Sequence, residues 1–153
     1  MSIKFHTFRQ QQWIPRPIAE VFALFSDARN LEKLTPPWLG FRILKLDPGP
    51  IHTGSQIRYR LRLHYLPVYW TTVIRSWDPP HRFVDIQTSG PYKLWHHTHR
   101  FESYNGGTKI RDVVRYALPF GILGRIVHAI KVRRDVEAIF QYRRRRIEEL
   151  FPE

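Results

Sequence analysis

Ile57-Arg58-Tyr59-Arg60-Leu61-Arg62-Leu63-His64 alternates without interruption between apolar or aromatic residues and basic ones. Period-two alternation is the mark of a β-strand with one face in a core. The face with Arg58, Arg60, Arg62 and His64 must be the outer one, because a row of guanidinium groups cannot be buried without partners. Ile57, Tyr59, Leu61 and Leu63 then point inward.

Similar runs recur at short intervals on both sides: Phe41–Leu46, Ser55–His64, Tyr69–Trp77, Arg82–Thr88, Tyr92–Ser103 and Thr108–Leu118. Asp47-Pro48-Gly49-Pro50, Leu66-Pro67, Asp78-Pro79-Pro80, Gly90-Pro91 and Asn105-Gly106-Gly107 separate them, all strong turn signals. Such short connections predict antiparallel neighbours. Upstream, residues 3–13 read as a further strand, with Ile3, Phe5 and Trp13 at odd positions. Pro17 suits the first turn of a helix, and Ile18, Val21, Phe22 and Phe25 follow at helical spacing. A second small helix spans Ala28 to Leu34 and ends at Thr35-Pro36-Pro37.

At the other end, Ile122 to Leu150 holds no proline and one glycine, Gly124, and carries Ile126, Val127, Ile130, Val136, Ile139, Phe140, Ile147 and Leu150. One helix of that length runs roughly 40 Å at 1.5 Å per residue. The order is therefore β-α-α-β6-α, an α+β fold in which a curved antiparallel sheet wraps a long C-terminal helix. Residues 1–153 contain no linker or repeat and are expected to form one domain.

The 153 residues include 25 Lys+Arg against 13 Asp+Glu, a formal charge of +12, with 42% hydrophobic and 14% aromatic residues. That composition builds a core and argues against disorder. Zero cysteines exclude disulfides and thiolate chemistry. No apolar run approaches the ~20 residues of a membrane span, and the N-terminus lacks a secretory apolar region. A cytoplasmic location is the expectation. The charge invites a polyanion partner, but the basic residues are spread along the chain. Arg143-Arg144-Arg145-Arg146, with Arg125, Lys131, Arg133 and Arg134, makes the last helix strongly basic. Nucleic acid, a ribosome or an anionic membrane is thus a possible but not favoured partner. Four consecutive residues cannot share one helix side, so one arginine must lie near the packed face and cover apolar surface with its stem.

Alternation assigns the remaining faces. Trp95, His97, His99 and Phe101 point inward, as do Ile110, Asp112, Val114, Tyr116 and Leu118. Trp70, Thr72 and Ile74 are placed inward, with Arg75 outward. Phe83 carries Asp85 and Gln87 inside with it. A polar group of Asp85, Gln87, His97, His99, Asp112 and Tyr116 is thereby predicted among Tyr59, Leu61, Trp70, Trp95 and Phe101. Apolar walls with a few convergent polar groups suit a small-molecule site. The plainer alternative is that the polar residues only satisfy one another. His97 and His99, with Asp85 or Asp112, could ligate Zn²⁺ or Fe²⁺, but the spacing alone is weak and no metal or other cofactor is assigned. His97, His99 and Asp112 are also the candidate acid–base residues. No serine-nucleophile motif, glycine-rich phosphate loop or HExxH is present.

The order of elements resembles the START/SRPBCC superfamily, the helix-grip fold of polyketide cyclases, birch-pollen-allergen-like proteins and START lipid carriers. Pro17-Ile18-Ala19-Glu20-Val21-Phe22, Ser26-Asp27-Ala28-Arg29-Asn30-Leu31, Trp77-Asp78-Pro79-Pro80-His81-Arg82-Phe83 and Gly90-Pro91-Tyr92 before Trp95-His96-His97 resemble its small bacterial ligand-binding members. The resemblance implies a cavity between sheet and helix that binds a lipid-, polyketide- or isoprenoid-like molecule. Its mouth is expected at Leu66-Pro67, Ser89-Gly90-Pro91 and Pro119–Gly124. The alternative is a cyclase or dehydratase using His97 or His99 with an Asp. A superfamily that hosts carriers, receptors and enzymes does not decide between them.

Overall fold

The computed structural model describes residues 3–63 and 65–152. Seven strands form one antiparallel sheet in the order β1-β7-β6-β5-β4-β3-β2: β1 (His6–Ile14), β2 (Arg42–Leu46), β3 (Gln56–Leu63), β4 (Leu66–Asp78), β5 (Arg82–Ser89), β6 (Leu94–Tyr104) and β7 (Gly107–Ala117). Helices α1 (Ile18–Phe25) and α2 (Leu31–Leu34), joined by a 3₁₀ turn, follow β1. The chain ends in a 30-residue helix built from α3 (Gly121–Val127), a π segment (His128–Val132) and α4 (Arg133–Leu150).

On β3 the alternation holds: Ile57 and Leu61 are buried, while Arg58 and Arg62 are exposed. The outward assignment of His64 lies outside the described residues. On β1 the inward face is the even one, Phe8, Gln10, Gln12 and Ile14, rather than the odd face with Trp13. The cause is the adjacent helix. Gln10 Nε2 donates to the carbonyl of Phe140 at 3.3 Å, and Gln12 Nε2 to that of Arg144 at 2.7 Å. Two inward amides are satisfied this way, and Trp13 closes its own indole bond outside, to the carbonyl of Tyr104.

Three further differences come from backbone detail. Leu66-Pro67 is no turn: Leu66 pairs with Leu63 and Pro67 with Arg62, so the hairpin is tighter than predicted. A register shift between Ile74 and Ser76 reverses the parity of β4. Trp70, Thr72 and Ile74 face inward as expected, and past the bulge Trp77 packs on Phe22 and Phe83. Finally, the first turns of the long helix leave their apolar residues uncovered, and from His128 onward the helix meets the sheet. Val136, Phe140 and Ile147 are buried, whereas Ile126, Val127 and Ile130 are exposed.

The core has two ends. Near α1, Ile14, Val21, Phe22, Phe83, Phe101 and Ile110 pack together. Beneath α4, Val136 and Phe140 close on Val114 and Tyr116. Full burial of side chains of this size contributes roughly 1.5–3 kcal/mol each. Between these clusters the interior is not filled.

Candidate functional site

A cavity of about 160 Å³ lies between the sheet and the helices. Its sheet wall includes Tyr59, Leu61, Trp70, Thr72 and Trp95; α4 contributes Val136, Ile139, Phe140 and Arg143. Leu24, Phe25, Leu39, Phe41 and Ile51 reach it from α1, the residues after α2 and the loop after β2. None of the three loops expected at the mouth contributes a lining residue. The segment between α1 and β2 lines it instead.

The aromatic wall is organised. Tyr59 stacks on Trp70, with ring centroids 5.8 Å apart at 18°, and Trp95 meets Trp70 edge-on at 5.3 Å and 86°. Trp70 is 6% exposed, yet its Nε1–H has no acceptor among the described residues, and the Nε of Arg143 is buried without one as well. A buried donor left unpaired costs on the order of 1–3 kcal/mol, so both mark places where an acceptor on a bound molecule, or a water, completes the site. Helix geometry requires one inward arginine among 143–146; only packing selects Arg143.

His97 and His99 occupy the cavity's polar side with Asp85. In the sheet register Asp85 stands opposite His97, and Asp112 opposite His99. The hydrogen bonds run diagonally instead. His97 Nε2 donates to Asp112 Oδ1 at 2.7 Å, and His99 Nε2 donates to Asp85 Oδ2 at 2.6 Å. The imidazoles stack with centroids 3.6 Å apart, and Phe83 stacks on the far face of His99 at 3.8 Å. Nδ1 of His97 is 3.8 Å from Asp85 Oδ2, and Nδ1 of His99 is 3.4 Å from Asp112 Oδ1 without hydrogen-bond geometry.

Burial raises the carboxyl of Asp112, but the hydrogen bond from His97 and the adjacent His99 outweigh it and hold the group far below the ordinary range. Asp85 is lowered in the same way, burial being overcome by His99, His97 and Arg143. Burial and repulsion from His99 push His97 down. For His99 burial acts downward too, but the two carboxylates prevail and raise it. The group therefore sets two carboxylates against His97, whose protonated form burial disfavours, and His99, whose protonated form the carboxylates favour. Burial raises the phenols of Tyr59 and Tyr92, keeping them neutral donors.

Seven of the eleven predicted site residues line the cavity: Tyr59, Leu61, Trp70, Asp85, Trp95, His97 and His99. Four do not. Asp112 stands behind the histidines. Phe101 packs against Phe22 and Phe25. Tyr116 is hydrogen-bonded to His128 Nε2 at 2.7 Å. Gln87 clamps the β5–β6 connection, donating to the Tyr92 carbonyl at 2.7 Å and accepting from its amide at 3.1 Å. Sequence reasoning missed Leu39, Phe41 and Ile51, which lie in irregular segments without periodicity.

The sheet wrapped on a terminal helix around a cavity defines a helix-grip protein of the START/SRPBCC superfamily. Residues 14–138 match the family described as "Polyketide cyclase / dehydrase and lipid transport", and the chain belongs to it. Among solved structures, CV1439 from Chromobacterium violaceum superposes with a TM-score of 0.73 at 16% identity, over 97% of this chain and 99% of that one. TTHA0849 from Thermus thermophilus gives 0.67 at 20%, over 96% and 100%. Major latex-like protein 151 from Panax ginseng gives 0.68 at 12%, over 97% and 99%. At these identities the likeness is one of fold. No curated protein is significantly similar to the chain in sequence.

Proposed function

We propose that the protein binds a compact hydrophobic or aromatic molecule non-covalently in this cavity. One observation carries the reading: an apolar, ring-lined space, two of whose lining residues, Trp70 and Arg143, hold a buried donor, Nε1 and Nε, with no acceptor among the described residues. Drug-sized ligands occupy cavities of ~300–1,000 Å³, and one of ~150 Å³ takes a benzene-sized guest. A volume of about 160 Å³ therefore favours one or two rings with an oxygen acceptor over a long lipid or a tetracyclic polyketide. Affinity comes from burying apolar area at roughly 25 cal/mol per Å², and orientation from the two donors.

Calorimetric titration with 2-naphthol, and with naphthalene as the acceptor-free control, tests this. Saturable binding is expected for 2-naphthol, weaker binding for naphthalene, and at least a tenfold loss for 2-naphthol in Leu61→Trp, which fills the space. Absence of binding, or binding indifferent to Leu61→Trp, would sink the reading. Following the same mixtures for conversion of compounds with an enolisable ketone separates a carrier from a cyclase or dehydratase. For the latter, His97, whose protonated form is disfavoured, would serve as base and His99, whose protonated form is favoured, as acid.

A second reading, that the protein also docks on an anionic membrane, is favoured by α3. Phe120, Ile122, Leu123, Ile126 and Ile130 are each more than half exposed, and 122, 123, 126 and 130 share one helix face. A contiguous apolar patch of this kind marks an interaction surface, unlike apolar residues exposed singly. Arg125, Lys131, Arg133 and Arg134 flank it, the pairing of apolar face and basic rim that suits an interfacial helix. Among the described residues, no helix is long and apolar enough to cross a membrane. Co-flotation with phosphatidylserine vesicles is expected, with loss on Ile122→Glu/Ile126→Glu and weakening in high salt. Vesicle indifference with a salt-steep gel shift on DNA would assign the charge to nucleic acid instead.

A further inference from the structure

We propose that Asp85, His97 and His99 form a site for a divalent transition metal ion of the Zn²⁺ or Fe²⁺ class on the cavity wall, oriented from behind by Asp112. This reading does not need an organic ligand in the cavity. Each of the three residues offers one ligand atom, and these atoms lie within 4.8 Å of one another. Tetrahedral bonds of ~2.0–2.2 Å separate ligand atoms by about 3.4 Å. The 2.6 Å from Asp85 Oδ2 to His99 Nε2 and the 3.8 Å to His97 Nδ1 bracket that value. The ligand atoms are no more than 4.8 Å apart, and closing onto one ion requires the stacked imidazoles to rotate until their in-plane lone pairs converge.

Two features distinguish this arrangement from a pair of self-satisfied Asp–His contacts. The first is the placement of the four groups. Asp85, His97 and His99 line the cavity, whereas Asp112 does not. Asp112 accepts from His97 Nε2–H at 2.7 Å, which fixes the tautomer and leaves the Nδ1 lone pair on the side of Asp85. A carboxylate holding the far nitrogen of a ligating imidazole is the usual outer support of a metal site. The second is His99, 4% exposed, whose Nδ1 has no hydrogen-bond partner and stands 3.4 Å from the same Asp112 oxygen. Once an ion occupies Nε2, the proton of that imidazole belongs on Nδ1, where Asp112 awaits it.

Two carboxylates and two neutral imidazoles carry −2, and a divalent ion brings the occupied group to zero with no electron moved. The ionisable groups facing this cluster are Asp112 from β7, Tyr59 from β3, Tyr92 from before β6 and Arg143 from α4. The fourth coordination position opens on the cavity and takes water or an oxygen of a bound molecule.

Co²⁺ as probe, added to chelator-treated full-length protein, tests the site. The expected results are one ion per chain and the intense visible d–d bands of a low-coordinate centre. Zn²⁺ should displace the Co²⁺. Asp112→Asn should weaken binding 10–100-fold while keeping the bands, and Asp85→Ala should abolish them. His128→Gln, which removes the separate stacked pair of His6 and His128, should change nothing. Where Asp85→Ala fails to fold, the wild-type histidine ring resonances decide. Co²⁺ must shift and broaden those of His97 and His99 and spare those of His52 and His81. No stoichiometric uptake, uptake that survives Asp85→Ala, or paramagnetic shifts centred on other histidines overturns the proposal.

Discussion

Asp112→Ala is expected to cost about 3–5 kcal/mol of folding stability at neutral pH, the penalty for removing one partner of a buried charge pair. Asp112 is 9% exposed and accepts a 2.7 Å bond from His97. Its loss strands the His97 Nε2–H and removes one of the two carboxylates that raise His99. Asn at this position keeps an acceptor without the charge and should cost less. The pH profile carries a separate signature. The folded carboxyl lies below its ordinary value of 3.8, so its contribution is fully present above that pH and fades as pH falls through the folded value. His97, lowered from 6.5, adds stability present above pH 6.5 and lost on acidification. His99, raised from 6.5, acts oppositely, contributing below pH 6.5 and losing its share as pH rises through its folded value. Wild-type stability should therefore be greatest near pH 6.5 and fall on both sides, in acid through His97 and the carboxylates and toward alkali through His99. Denaturant unfolding of both proteins from about pH 3 to pH 8 measures this. An Asp112→Ala stability within about 1 kcal/mol of wild type, or an unaltered acid limb, would refute the charge assignment.

Trp70→Ala is expected to destabilise by about 3–5 kcal/mol, as for large aromatic truncations in cores, and to redirect ligand choice. The indole is 6% exposed and contacts Tyr59, Tyr92 and Trp95 through its ring. Its Nε1 is unpartnered, so the loss is one of packing rather than of a hydrogen bond. The vacated volume joins the existing cavity. Free indole should then raise the melting temperature of the variant more than that of wild type, because a ligand bound only by the native state stabilises it. Larger ring systems should gain affinity as 2-naphthol loses it. Equal indole responses in the two proteins would mean that Trp70 does not wall the binding space.

Much of this architecture was legible because strand alternation is a local rule. The arginine row of β3 decides its faces, and the inward set on β6 brings the two histidines with Trp95. The same rule fails where something outside the strand intervenes. On β1 the inner face includes Gln10 and Gln12, which look like surface residues until the carbonyls of α4 stand opposite them. On β4 one bulge reverses parity and turns Trp77 inward. Gln87 has the right parity for the cavity but serves the backbone of Tyr92. The helical periodicity from 122 to 150 marks an apolar stripe throughout, yet α3 leaves it exposed and the helix meets the sheet from His128 onward.

The amino-acid order alone determined a seven-stranded antiparallel ribbon closed by a terminal helix, and it brought Asp85, His97, His99 and Asp112 to one face of three strands. Turn chemistry and side-chain alternation act within a few residues, so they can be read directly. Tertiary structure decided that each histidine bonds the aspartate diagonal to it, that Arg143 is the arginine turned inward, and that α3 keeps an uncovered apolar face. Those outcomes depend on side-chain reach and on the angle at which the last helix crosses the sheet, quantities set by the sum of packing contacts between segments far apart in the chain.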